Sequence, residues 1–186
     1  QKRTALGRFG HEGVVFAPVV EGQPVVFYSG DDSTFEYIYK YVSKANYYKA
    51  TAGGHLLNEG TLYVAKFNAD GSGEWLALDI NNEAFKAKAL ASKVTFSSQA
   101  DVLINTRLAA DVAGATKMDR PEWGAVHPQT GEVYFTLTNN TSRKDTQIDK
   151  ANPRANNATG HIIRWRERSQ PQATSFDWDI FLLAGD

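Results

Sequence analysis

EGVVFAP at residues 12–18 has a counterpart in EWGAVHP at residues 122–128, and the runs that follow the two stretches also correspond. GQPVVFYSGDD at residues 22–32 matches TGEVYFTLTNN at residues 130–140, and each copy continues into a third, aromatic strand and a fourth, apolar one. A recurring four-stranded antiparallel unit is typical of β-propeller blades. A β-sandwich could supply a similar pattern, although packing alone does not require the repeated acid and the repeated Asp/Asn pair. We therefore predict an all-β fold, part of a β-propeller with four-stranded antiparallel blades.

One segment departs from the strand pattern. Within residues 98–113, apolar side chains recur every fourth position, at Ala100, Ile104, Leu108 and Val112. This spacing predicts a short helical insertion with one apolar stripe. Ser98 suits its N-cap, and Gly114 suits its end.

Two further features concern connections between strands. Residues 60–67 and 74–78 predict a hairpin because an Asp-Gly pair lies between two strand-like runs. Residues 141–159 are polar and predict a long surface loop, in which we expect Arg143 to be solvated.

Composition excludes several classes of function. The net charge of −1 provides no overall basic field for nucleic acid. The absence of cysteine excludes disulfides and thiolate metal ligands within this chain. No apolar run approaches the roughly 18 residues of a membrane span. Because the chain begins with Gln1 rather than Met, we expect residues 1–186 to be a single processed or excised segment.

Three acidic residues are candidate metal ligands. Glu12 and Glu122 precede equivalent inner strands of the repeat, so both should project toward a shared axial space, with Asp31 nearby. Carboxylates that converge in this way cannot all ionise easily without a cation. Hard oxygen ligands without thiolates or paired histidines favour calcium over zinc.

Simpler roles remain open for these residues. Glu12 and Glu122 could be solvated acids beside strands, and Asp31 could belong to an Asx turn. Arg120 precedes a proline, which favours extended backbone, and an ordinary salt bridge would explain it. Asp119 is expected to be a turn or pairing residue.

Several stretches together resemble a known family. They are GRFGHE at 7–12, GDD at 30–32, FEYIYK at 35–40, EGTLYVA at 59–65, MDRPEW at 118–123 and HPQTGEVY at 127–134. Over essentially the whole chain, and in the same order, they resemble the PhoX family of alkaline phosphatases. The DRPEW stretch is the most specific of them.

The resemblance implies an exported, periplasmic or secreted phosphomonoesterase on a β-propeller, with a calcium and iron cluster at one end of the channel. By the same resemblance, Glu12, Asp31 and Glu122 are cluster ligands, and Arg120 holds the phosphate of a small phosphate ester. Carboxylates suit hard cations, and a planar guanidinium can bind two phosphate oxygens.

The chain also departs from the family pattern. Part of the family's iron site is a cysteine upstream of the matched region, and this chain has none. We therefore expect an incomplete propeller and an incomplete iron site, inactive alone, that associates with the missing parts of the propeller or with itself. A non-catalytic propeller scaffold and a calcium-dependent, lactonase-like propeller hydrolase remain alternatives.

Overall fold

The computed structural model describes residues 2–185, so Gln1 and Asp186 of the expected segment lie outside the described residues. Within that range, nine strands form one antiparallel sheet in the order β1-β2-β3-β4-β5-β9-β8-β7-β6. The strands are β1 (His11–Phe16), β2 (Pro24–Asp31), β3 (Ile38–Asn46), β4 (Gly60–Phe67), β5 (Ser72–Ala77), β6 (Pro121–Val126), β7 (Val133–Leu137), β8 (His161–Glu167) and β9 (Ser175–Leu183). Three α-helices connect the two halves of the sheet: α1 (Glu83–Ala91), α2 (Gln99–Ile104) and α3 (Thr106–Ala113).

The repeat appears as two propeller-like blades. Strands β1–β4 form the first antiparallel meander and β6–β9 form the second. Both blades carry a register shift at the equivalent place, between His11 and Val14 in one and between Pro121 and Gly124 in the other. The all-β prediction and its repeated four-stranded units are therefore confirmed.

The outer edges of the two blades differ from the simple four-strand pattern. The first blade has a fifth strand, β5, which forms the predicted hairpin with β4 and then pairs with β9 of the second blade. At the other end of the sheet, the inner strands β1 and β6 pack against each other. The sheet is consequently almost closed, like a flattened barrel.

Aromatic side chains fill the space between the blades. Trp165 is buried at the centre, with its ring 5.4 Å from that of Tyr28 and 6.0 Å from that of Phe135. Such tilted and offset ring pairs contribute stability beyond that of the apolar area that burial removes from water. A second core lies between the first blade and the helices, where Tyr39 and Val64 pack with Val102 and Ala110.

The helical insertion is confirmed, but its predicted apolar stripe is wrong at Ala100, Ile104 and Leu108, and only Val112 of the four is buried. Ser98 accepts the N-capping hydrogen bond from the backbone of Asp101, and Gly114 ends the insertion in a left-handed conformation. The helix breaks at Asn105, which lies between α2 and α3. Ala100, Ile104 and Leu108 face solvent on both sides of this break, with Ile104 and Leu108 48% and 44% exposed.

Residues on the other side of α2 and α3 bury instead: Val102, Thr106, Ala109, Ala110 and Ala113. Within residues 2–185, no helix has both the length and the apolar content needed to cross a membrane.

The polar segment 141–159 is not a solvated loop throughout. Backbone hydrogen bonds between Asn140 and Asn157 close it at its base. Arg143 is only 3% exposed, because it forms an ion pair with the buried Asp119. The expectation that Arg143 is solvated is therefore wrong, whereas the pairing role expected for Asp119 is confirmed.

A buried ion pair joins the two blades across the aromatic core. Lys40 on β3 has no exposed surface, and its Nζ lies 3.0 Å from Oε2 of Glu167 on β8. Glu167 also accepts hydrogen bonds from Tyr28 and from the Trp75 indole. Burial lowers the pKa of Lys40 to about 8 and raises the pKa of Glu167, with each partner opposing the shift of the other.

We predict that Glu167→Ala lowers the free energy of unfolding by about 3–5 kcal/mol, because the Lys40 ammonium would then be buried without its carboxylate. Urea denaturation at pH 7, followed by tryptophan fluorescence, measures the change. Glu59→Ala is the matched control, since Glu59 pairs with Lys44 in an exposed position, and its denaturation midpoint should not move. Equal effects of the two substitutions would contradict the role of the buried pair.

Candidate functional site

The inner strands of the two blades are in backbone contact. A Cβ atom placed on Gly13 of β1 would lie 3.0 Å from the Glu122 carbonyl oxygen and 3.1 Å from the Trp123 Cα of β6. A Cβ on Gly30 of β2 would overlap the carbonyl oxygen of Pro121. Glycine at these two positions therefore allows the blades to approach this closely.

This contact brings Glu12 and Glu122 together. Glu12 is the residue before Gly13, and the Glu122 carbonyl oxygen is one of the atoms that Gly13 faces. The Cα atoms of Glu12 and Glu122 are therefore at most roughly 12 Å apart. Glu12 is exposed and Glu122 is half-buried. The backbone positions of the two acids are therefore near each other, and their role as metal ligands stays a prediction.

Asp31 ends β2 and is fully buried. Its carboxylate accepts two hydrogen bonds of 2.7 Å from Arg107, one from Nε and one from Nη2. The backbone N–H of Gly10 donates a third, at 3.1 Å. Such a paired, planar contact is the strongest kind of Arg–carboxylate interaction.

Arg107 is a site residue that sequence reasoning missed. It lies in the first turn of α3, within the insertion whose pattern indicated only helix packing. Its guanidinium also donates to Ser33 Oγ at 3.1 Å and lies 3.6 Å from Glu36 Oε2. No local motif marks it, because its partners are more than 70 positions away in the sequence.

Unsatisfied carboxylate oxygens accompany this ion pair. Oδ1 of Asp32 and Oε2 of Glu36 are buried without a hydrogen bond. Burial, and then the negative charge of Asp31, raises the pKa of Glu36 to about 7. Three carboxylates, those of Asp31, Asp32 and Glu36, thus share the two guanidinium groups of Arg107 and Arg120 at this end of the blades.

Arg120 precedes β6 in an unexpected conformation. Its φ of 53° lies in the left-handed region, so the predicted extended backbone is wrong. The Arg120 carbonyl accepts a hydrogen bond from Thr138, and its Nη2 donates to Asp32 Oδ2 at 2.9 Å. The ordinary salt bridge considered for Arg120 is therefore present, in its contact with Asp32. A salt bridge alone does not, however, require a left-handed backbone. Strained residues of this kind persist where surrounding contacts hold them and often occur at functional sites.

The three candidate acids are not equally free to bind a cation. Among the residues that the structure describes, no three His, Asp or Glu side chains form a group that could hold a metal ion. Glu12 and Glu122 offer accessible hard oxygen donors, which suit calcium. The Asp31 carboxylate is already bound by Arg107, so ligation of a cation by Asp31 would require the two to share it.

His11 has a structural environment. Its Nδ1 lies 3.0 Å from Ser29 Oγ, and its ring stacks on Phe9 with 3.7 Å between centroids. Burial lowers the pKa of His11, so the ring is mainly neutral at pH 7.

The chain matches a known family and is similar to a solved structure. The family model described as alkaline phosphatase PhoX matches residues 1–186. The solved structure, Pseudomonas fluorescens PhoX in complex with vanadate, a transition state analogue, is 45% identical to this chain and superposes with a TM-score of 0.88. The match covers 99% of this chain and 33% of that chain, so this chain spans about a third of the related protein. No curated protein matches.

We predict that Gly30→Ala lowers the free energy of unfolding by about 1–3 kcal/mol, because the new methyl group forces β2 away from Pro121. Urea denaturation measures this change. Gly53→Ala is the matched control, since its added Cβ would have only an ordinary contact, 3.6 Å from His55. If both variants unfold at the same urea concentration as the wild type, the contact between the blades is not tight.

Proposed function

The chain belongs to the PhoX family of alkaline phosphatases, and from that premise we propose that the protein containing it hydrolyses phosphate monoesters. The observation that carries the proposal is the position of Arg120, which is held in a left-handed backbone two residues before Glu122. The related protein has been solved in complex with vanadate, a transition state analogue. A site that takes such an anion needs a cationic group directed at the phosphoryl oxygens.

Arg120 is the proposed phosphate-binding residue. Its side chain is about a third exposed, and one of its nitrogens is held by Asp32. A guanidinium has five N–H donors, so the contact with Asp32 leaves others for two phosphate oxygens. Asp32 thus orients the guanidinium while the substrate is absent, and the substrate phosphate binds the remaining donors.

Glu12 and Glu122 are the proposed ligands of calcium. They lie on the two inner strands that the glycine contact brings together, and both are accessible. When bound, calcium polarises phosphoryl oxygens and lowers the pKa of a bound water. Asp31 is the third proposed ligand, and it shares its carboxylate with Arg107.

The remaining parts of the proposal concern what lies outside this chain. We propose that an iron site of the family's kind takes its cysteine ligand from another segment, since residues 1–186 contain no cysteine. The matched region is 33% of the related structure, which supports the view that residues 1–186 alone are inactive and associate with further blades. We also propose, on the support of the family membership, that the protein is periplasmic or secreted.

We predict that Arg120→Ala lowers kcat/KM for p-nitrophenyl phosphate by on the order of 100-fold to 1,000-fold in the full-length protein, because one group that stabilises transition-state charge is lost. Glu122→Gln should lower activity as strongly, with the melting temperature near that of the wild type. Arg164→Ala is the matched control, since Arg164 forms an exposed pair with Asp179 on the second blade.

Wild-type turnover by Arg120→Ala would reject the phosphatase assignment of this site. Hydrolysis of lactones but not of phosphate esters by the wild type would favour the lactonase-like alternative. Absence of both activities in the calcium-loaded, full-length protein would favour the scaffold alternative.

We also predict that chelation by EGTA abolishes phosphatase activity and that added calcium restores it. Glu12→Gln should weaken calcium binding, measured by isothermal titration calorimetry, because one anionic ligand is removed. The exposed Glu21 provides the control substitution, Glu21→Gln, which should bind calcium as the wild type does. Unchanged calcium binding by Glu12→Gln would exclude Glu12 from the ligand set.

A further inference from the structure

A loop remote from the inner strands holds the residue next to Arg120. Asp119 is fully buried, and both of its carboxylate oxygens accept hydrogen bonds from the segment between Asn140 and Asn157, called here the 140–157 loop. Arg143 Nε donates to Oδ1 at 2.7 Å, and Asn157 Nδ2 donates to Oδ2 at 2.9 Å. The carboxylate is therefore fixed from two sides.

Arg143 is itself fully engaged. Its Nη1 donates to the Gln147 carbonyl at 2.6 Å, and its Nη2 donates to the Lys117 carbonyl at 2.9 Å. Its guanidinium lies 5.1 Å from the centre of the Phe35 ring, within reach of a cation–π interaction. The side chain is only 2% exposed. Arg143 thus contacts the chain before Arg120 at two points, Lys117 and Asp119.

The 140–157 loop is itself held in place by several hydrogen bonds. Its ends are joined by backbone hydrogen bonds between Asn140 and Asn157, of 2.7 and 3.1 Å. Asn152 Nδ2 donates a second hydrogen bond to the Lys117 carbonyl, at 3.0 Å. His161 Nε2 donates to the Ala151 carbonyl at 2.8 Å, which leaves Nδ1 facing Asn157 Nδ2 at 3.4 Å. The loop is a rigid support.

The opposite side of the same segment is bound by the first blade. The Phe35 N–H donates to the Met118 carbonyl at 2.9 Å, and the Met118 N–H donates to the Glu36 carbonyl at 2.8 Å. Phe35 and Arg120 both have positive φ values, 64° and 53°. Two non-glycine residues in this conformation require surroundings that hold them there.

Stability alone does not explain this network. A buried ion pair is often no more stabilising than well-packed apolar residues of similar volume, because desolvation offsets the attraction. The directional hydrogen bonds of Arg143 and Asn157 define where Asp119 lies, and Asp119 is the residue before Arg120.

We infer that Arg143, with Asn157, is a positioning residue for Arg120: the 140–157 loop fixes Asp119 and thereby directs the Arg120 guanidinium toward the substrate phosphate. This inference rests on the phosphate role proposed for Arg120. It adds a residue, Arg143, that lies behind the site and does not touch the substrate.

The test uses the full-length protein with vanadate as the probe, and it compares inhibition constants, KM, kcat and melting temperatures. Arg143→Lys keeps the charge but loses the planar set of donors, so it should weaken vanadate inhibition and raise KM by on the order of 10-fold. Asn157→Ser is a milder second variant that removes one donor to Asp119. Both variants must melt well above the assay temperature for the comparison.

The control for a purely structural effect is Glu167→Gln, which disturbs the buried Lys40 pair elsewhere between the blades. It should lower the melting temperature without changing the vanadate inhibition constant. The decisive comparison is made in the Arg120→Ala background. There, Arg143→Lys should change vanadate inhibition by less than about twofold, since residues that act through one another are not additive.

The outcomes separate the two claims. Wild-type vanadate inhibition in Arg120→Ala would overturn the proposed function of that residue, and the positioning inference with it. Weakened but measurable inhibition in Arg120→Ala, together with wild-type inhibition in Arg143→Lys and Asn157→Ser, would overturn the positioning inference alone. If Arg143→Lys weakens vanadate inhibition equally in the wild type and in the Arg120→Ala background, the positioning inference is also overturned. The effect of Arg143 would then be structural and independent of Arg120.

Discussion

The contact between the inner strands of the two blades is the constraint on which the remaining arrangement depends. Gly13 and Gly30 bring the backbone of the first blade against that of residues Pro121 to Trp123 in the second. Because neither glycine has a side chain, Glu12 and Glu122 come to lie beside one shared region. The aromatic core and the Lys40–Glu167 pair hold the blades together behind this contact.

Three aspartate–arginine pairs surround the contact, and their exposure differs in a way that suits different tasks. The Arg143 side chain is 2% exposed, that of Arg120 is 32% exposed and that of Arg107 is 46% exposed. The buried pair with Asp119 is rigid and suits a positioning role. The Arg120 pair with Asp32 is open to solvent and can admit an anion. In the third pair, the Arg107 guanidinium binds the buried Asp31 carboxylate. This contact reduces the negative charge that Asp31 can offer to a cation.

The strands and their repeat could be predicted from sequence because alternation and turn chemistry are local properties. The helix cap at Ser98 and the end at Gly114 were predictable for the same reason. The apolar stripe was not, because small and polar side chains such as Thr106, Ala109 and Ala110 face the first blade, while Ile104 and Leu108 face solvent. Resemblance in the DRPEW stretch identified Arg120 and Glu122 as candidates, but the left-handed backbone of Arg120 depends on distant contacts. Arg107 was missed, and Arg143 was expected to be solvated, because the partners of both residues come from other parts of the chain.

The central claim is that Glu12, Glu122 and Arg120 form one phosphate-processing site between two blades. A crystal structure of the full-length protein, grown with calcium and vanadate, tests it most directly. The account predicts a calcium ion bound by the Glu12 and Glu122 carboxylates, with vanadate oxygens within hydrogen-bond distance of the Arg120 guanidinium. Vanadate bound elsewhere, with Arg120 still paired only to Asp32, would contradict the account.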